Sequence, residues 1–254
     1  MSSKCDIQIA LSTLNDGILT VKFTEDFCYL VVHQVTNDKD YTEFIKTLPH
    51  NVEYISSLEG GLSKSRNIAL NNASSDYIWI MDDDVIIAED AKKHIAMLVG
   101  QYSNYALIAV EHTSGPHSSV STAFGSRDIS DISAAKVSSI DMILNRNAIQ
   151  GLRFDERFGL GAKYPTGEEY VFICQLLRCG GRAIQSDLVC GYHINLSSGF
   201  DFYSTPEKLI AKREMFKAAN GTLKGIIYYY AFIIKKLIFL IKKNAINNVL
   251  KSLF

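Results

Sequence analysis

The stretch Tyr77 to Ile86 reads YIWIMDDDVI, an apolar strand-like run that opens directly onto Asp82, Asp83 and Asp84. Like charges about 4 Å apart repel by roughly 4 kcal/mol at an effective dielectric of about 20, so three adjacent carboxylates need a counter-charge. On an extended backbone Asp82 and Asp84 point to one side and Asp83 to the other. Two same-side carboxylates suit one hard divalent cation, whose remaining positions a diphosphate would fill. Two plainer readings compete. The acids could begin a loop and cap the helix expected from about Glu89. They could also be a D-x-D phosphatase nucleophile, although that motif wants Thr or Val where Ile86 stands. A second acid pair, Glu168-Glu169, opens a later helix and complements its dipole.

The elements that must position these residues alternate. Strands are predicted over 7–12, 28–35, 52–56, 77–81 and 106–111, and the second and fourth are nearly continuous apolar runs, as in sheets covered on both faces. Helices are predicted over 62–73 and 89–102, and alternation implies a largely parallel sheet with right-handed crossovers. In such sheets ligands sit at the carboxyl ends of the strands, which is where the aspartates lie. After residue 111 a polar Ser/Gly/Pro-rich stretch reads as loop or short edge strands. A strand is predicted over 139–149. A loop with three glycines and a proline, FDERFGLGAKYPTGEE, then leads into the helix EEYVFICQLLRCG, followed by two short strands, RAIQS and LVCGYH.

The order GLSKSRNIALNNASSDYIWIMDDDV, residues 61 to 85, resembles the nucleotide-sugar domain of inverting family 2 glycosyltransferases with the GT-A fold. That family carries a G-x-[ST]-x-[AS]-R-N helix before a strand ending in an acid cluster; here the pattern is Gly61, Ser63, Ser65, Arg66 and Asn67. FDERFGLGAKYPTGEEYVF is similar to its acceptor-side loop and ED-type acid pair. The resemblance covers about residues 5 to 200. It implies an α/β, Rossmann-like mostly parallel sheet flanked by helices. Residues 1–112 would form the nucleotide-sugar half and 113–221 the acceptor half, with 222–254 a C-terminal amphipathic helical tail.

The resemblance also assigns roles. Asp84 is a direct ligand of Mn²⁺ or Mg²⁺, and Asp82 a second ligand or a ribose contact. Asp83 hydrogen-bonds sugar or ribose. The ion acts as a Lewis acid on the leaving diphosphate. Thr13 and Asn15, at the end of the first strand, lie beside base and ribose. Gln34 offers a donor and an acceptor to a uracil edge, in a place where many relatives carry acids. Lys64 and Arg66, near a helix start after Gly60-Gly61, form an anion site for the nucleotide, the plainer role for Arg66 being an ion pair. Glu169 is the general base and Glu168 an acceptor contact, with the two open to exchange. His193 contacts metal or diphosphate, and the plainer reading makes it a surface or core histidine. The glycines 159, 161 and 167 permit a loop that reshapes around substrate.

The last thirty residues, 225 to 254, are apolar runs broken by lysine pairs. At 100° per residue Lys224, Lys235 and Lys242 fall within about 20° of one another, with Lys236 and Lys243 beside them. That is the pattern of an in-plane helix on an anionic membrane surface; the alternative is a helix packed on protein. With no signal-peptide core near the start and five scattered cysteines, the expected location is cytoplasmic, peripheral to the inner face of the cell membrane. A net charge of −1 gives no basic field for nucleic acid. The expected activity is transfer from a UDP-linked sugar to a saccharide or lipid-linked saccharide in surface-polysaccharide assembly. A sugar-phosphate nucleotidyltransferase is one alternative, although STLNDG lacks the glycine-rich basic loop it needs. A membrane-associated scaffold without catalysis is the other.

Overall fold

The first two strands, β1 (Ile7–Leu14) and β2 (Cys28–Gln34), bury almost every residue on both faces. In the computed structural model, which describes residues 7–115, 125–149, 151–193 and 201–253, helices cover both sides of the sheet they belong to. Cys5 and the centre of the polar stretch after residue 111 lie outside the described residues. The elements continue with α1 (Thr42–Ile45), β3 (Val52–Ser57), α2 (Leu62–Asn72), β4 (Tyr77–Asp82), β5 (Ile86–Ile87), α3 (Ala91–Gln101), β6 (Leu107–Thr113) and β7 (Ser126–Asp128). Then come β8 (Met142–Asn145), α4 (Glu168–Arg178), β9 (Ala183–Tyr192), α5 (Pro206–Asn220), α6 (Thr222–Lys242) and α7 (Ile246–Ser252).

The nine strands form one sheet in the order β3-β2-β1-β4-β8-β6-β9-β5, with β7 on β9. Pairings β3-β2, β2-β1, β1-β4 and β6-β9 are parallel, and β8 runs antiparallel between β4 and β6. The side-chain period of two sorts the core. Ile9, Leu11, Trp79 and Met81 join α3 on one face, while Ala10, Ile78 and Ile80 join α2 and α4 to α7 on the other.

The predicted strand over 139–149 narrows to β8, preceded by a 3₁₀ turn at Ser139–Asp141 that Trp79 Nε1 pins by donating to the Ile140 carbonyl at 2.7 Å. RAIQS and LVCGYH merge into β9. Its far end pairs with β5, Ile86 against Tyr192 and Ile87 against Gly191. That two-residue ladder turns the chain just after the aspartates and brings the end of β9 beside them.

The 222–254 segment, expected as an appended tail, is two helices broken at Lys243–Ala245, where Asn244 takes φ 53°. Tyr229, Ile233 and Leu240 of α6 and Val249 of α7 share one core with Leu209 and Phe216 of α5 and with the sheet. No helix among the described residues is long and apolar enough to cross a membrane. The α5–α6 hairpin closes at Gly225, where an added Cβ would lie 2.5 Å from Lys217 Cα and the Phe216 carbonyl oxygen. Backbone cannot yield as a side chain can. Gly225→Ala is therefore expected to lower stability in urea unfolding by about 1–3 kcal/mol; an unchanged midpoint would show that α6 is not clamped there.

Candidate active site

The parallel register sets the first row of the site. Ser12 pairs with Asp82 across β1 and β4, and Thr13 with His33 and Leu14 with Gln34 across β1 and β2. The strand ends open into a cleft of about 1090 Å³ that both acid clusters line.

Asp82, Asp83 and Asp84 take three different partners. Asp82 Oδ1 accepts from Arg66 Nη2 at 3.0 Å. Asp83 Oδ2 accepts from Thr13 Oγ1 at 2.6 Å. Burial, with the charges of Asp84 and Asp82, pushes the Asp83 carboxyl above its ordinary value against that hydrogen bond. Asp84 Oδ2 lies 3.1 Å from His193 Nε2. The sequence-predicted pair Asp84 and His193, 109 residues apart, thus meet through the β5–β9 ladder.

Arg66, expected at the nucleotide, is wholly buried instead. Its Nη1 donates to Glu168 Oε1 at 2.8 Å, and its Nη2 donates to Asp82 and to Ser139 Oγ at 2.8 Å. The rest of the motif is similarly occupied. Ser63 Oγ donates to the Phe158 carbonyl at 2.6 Å, and Ser65 Oγ to Ser12 Oγ at 2.8 Å. Asn67 Nδ2 donates to the Phe154 carbonyl, and its Oδ1 accepts from the Phe154 amide. An added Cβ at Gly161 would meet Gly61 Cα at 3.3 Å, so that glycine serves close packing of the acceptor-side loop on the start of α2. The G-x-S-x-S-R-N helix is a clamp between the two halves of the site.

The other expected nucleotide contacts are partly engaged. Lys64 pairs with Glu59 at 2.6 Å on the surface. Gln34 Nε2 donates to the carbonyls of Glu59 and Gly61, closing the loop before α2. Asn15, at φ 50°, accepts from the Thr36 amide at 2.8 Å and ties the ends of β1 and β2 together. Thr13 and Gln34 line the cleft; Lys64 and Asn15 do not.

Glu168 and Glu169 both face the cleft at the start of α4, yet differ. Glu168 is committed to Arg66. Burial, then the charge of Glu168, pushes Glu169 up to about 8, with Lys212 of α5 pulling the other way. Burial in turn lowers Lys212, which those two carboxylates oppose. A carboxyl held by a guanidinium, next to one that burial drives toward its protonated form, suits one fixed partner and one proton acceptor.

Sequence reasoning missed Ser139, Lys212 and the pair His112–Asp141. His112 Nδ1 lies 2.8 Å from Asp141 Oδ1, and its ring centroid is 6.0 Å from that of His193. These residues stand on β6, α5 and the 3₁₀ turn, with no motif around them to mark them.

The sequence model of the family described as Glycosyl transferase family 2 matches residues 35–119. The minor teichoic acid biosynthesis protein GgaB of Bacillus subtilis (strain 168) is 23% identical over 171 residues, covering 61% of this chain and 19% of that protein. Residues 1–349 of S. aureus TarS in complex with UDP superpose at TM-score 0.60 with 15% identity, covering 91% of this chain and 72% of that one. The mannosyltransferase PcManGT from Pyrobaculum calidifontis in complex with GDP-Man and Mn²⁺ superposes at 0.55 with 14% identity, covering 91% and 70%. The architecture is the one these structures share, a mostly parallel central sheet with flanking helices.

Arg66→Met leaves Glu168 buried without its counter-charge. The loss expected in urea unfolding is about 3–5 kcal/mol. A change below about 1 kcal/mol would mean that the guanidinium does not tie the halves together.

Proposed function

We propose that this chain belongs to glycosyl transferase family 2 and moves a sugar from a UDP-linked donor to a saccharide-bearing acceptor with inversion. The observation that carries the reading is the single cleft in which Asp82 to Asp84 and Glu168-Glu169 stand on either side of buried Arg66. The resemblance to GgaB supports a place in assembly of a teichoic-acid-type surface polymer.

The residues at the strand ends fit a divalent ion. Asp84 and His193 offer an oxygen and a nitrogen 3.1 Å apart, a donor set that Mn²⁺ accepts. Among the described residues no third His, Cys, Asp or Glu completes a protein-only site. Donor phosphate and water would fill the remaining positions, as is usual for nucleotide-bound Mg²⁺. When bound, the ion stabilises the negative charge of the departing diphosphate.

The chain's own groups do the rest. Asp83, held by Thr13, faces the donor's ribose or sugar hydroxyls. Glu169 takes the proton of the acceptor hydroxyl as that oxygen attacks the anomeric carbon. The bond from that carbon to the diphosphate oxygen breaks on the opposite face, and the nucleotide leaves with the electron pair. Glu168, held in place by Arg66, keeps its charge beside Glu169 and so favours the proton on Glu169 once it has been taken up.

Calorimetry of UDP is expected to show binding that requires Mn²⁺, lost in Asp84→Asn; equal binding without metal contradicts the roles of Asp84 and His193. Glu169→Gln is expected to bind UDP normally and to lose about 10²–10⁴-fold in kcat. Because Glu169 must give up its proton to act and holds it up to about 8, kcat/KM is expected to rise with pH through that value. A flat profile reassigns the base.

We also propose that the outer face of α6 rests on an anionic membrane surface. Leu223, Ile227, Ile234 and Ile238 are more than half exposed along one side of α6. Lys235 and Lys242 are exposed beside them, while Lys224 is drawn to Asp131 at 2.8 Å. An apolar stripe edged by lysine suits the headgroup boundary. Since α6 shares the core, point changes test this better than truncation. The protein is expected to float with anionic liposomes and Ile234→Glu/Ile238→Glu to remain behind, whereas equal flotation of both rejects the surface.

A further inference from the structure

Beside the acids, the cleft is lined by two cations that the proposed chemistry leaves unused, Lys212 of α5 and Lys236 of α6. Neither makes a hydrogen bond or a contact ion pair among the described residues. Lys212 is largely buried and senses Glu169 and Glu168 only at a distance. A buried ammonium loses hydration and is retained where an anion compensates it. Lys236 stands over an aromatic shelf. Its Nζ is 6.0 Å from the Phe239 ring centroid, Phe239 stacks on Phe202 at 6.0 Å, and Phe202 meets Phe232 at 5.0 Å. All three rings line the same cleft.

By their neighbours, both lysines lie on the acceptor side. One belongs with the base and the other with the aromatic shelf, whereas the donor corner is built from Asp84, His193 and the ends of β1 and β4. Cations over aromatic faces recognise an anion carried by an apolar or ring-shaped body. Phe232 and Phe239 of the shelf stand on the helix whose outer side is the exposed apolar stripe, so an amphiphile held at that surface has a short path into the cleft.

We propose that Lys236, over the Phe202, Phe232 and Phe239 shelf, and Lys212, beside Glu169, form a subsite for a phosphate ester on the acceptor. The proposal rests on the glycosyl-transfer reading and narrows its acceptor from saccharides in general to phosphate-bearing ones. The phosphate could belong to a lipid carrier or to a polyol phosphate, and the two sources are separable.

The test is calorimetric titration of octyl phosphate, glycerol phosphate and octyl glucoside into the full chain, with UDP and Mn²⁺ titrated separately. At least one phosphate ester is expected to bind. Lys236→Gln and Lys212→Gln are each expected to weaken it about tenfold, and Lys236→Arg to restore most of the loss. Preference for octyl phosphate supports a lipid-linked acceptor; comparable binding of glycerol phosphate supports a polyol phosphate. Octyl glucoside binding as well as the phosphates overturns the proposal, as does phosphate binding that no lysine variant alters. Absence of phosphate-ester binding while UDP with manganese still binds overturns it too and leaves the donor reading standing. Loss of UDP binding in the unaltered chain counts against the donor reading alone.

Discussion

One buried guanidinium holds the site together. Arg66 has no exposure to water, and its ends contact Asp82 on β4 and Glu168 on α4, residues from opposite halves of the chain. Removing Arg66 and Glu168 from water is expensive, and good geometry with added hydrogen bonds is what makes such a buried pair tolerable. Ser139 supplies one of those bonds, and Trp79 holds the turn that carries Ser139. β4 and α4 therefore cannot move apart without leaving an unpaired charge in the interior. A cleft in which two acid clusters face each other keeps its geometry only with that rigidity.

Around this spine each part of the cleft has its own support. The β5–β9 ladder fixes Asp84 against His193, and the His112–Asp141 pair stands behind that ring. Asn15 and Gln34 close the loops at the ends of β1 and β2 with side-chain to backbone hydrogen bonds, which keeps that end of the cleft in shape. On the far side, α5 and α6 meet closely enough at Gly225 to act as one wall. The helix that carries the exposed apolar stripe, α6, thus also lines the cleft, and stripe and cleft wall belong to one packed unit.

Much of this architecture was legible in the residues. Continuous apolar runs such as YIWIM and CYLVV need cover on both faces, and they lie in the central parallel strands. The aspartates fall at a strand's carboxyl end because the apolar run stops there. The role of the G-x-S-x-S-R-N helix was not legible, since Ser, Arg and Asn serve a ligand or a domain junction equally well. Only the tertiary partners, Phe154, Phe158 and Glu168, decide for the junction. The strand β8 was legible but its antiparallel direction was not, because strand direction depends on a crossover that the local pattern does not encode. In the last two helices the spacing of lysines revealed a polar stripe. It could not reveal that the apolar remainder divides into one face on the core and another exposed.

The most direct measurement is a manganese anomalous difference map from crystals grown with UDP and Mn²⁺. A peak within coordinating distance of Asp84 and His193, bridged to the diphosphate, with Arg66 still spanning Asp82 and Glu168, is the expected result. UDP bound with no metal beside Asp84, or with Arg66 turned out to the nucleotide, would contradict it.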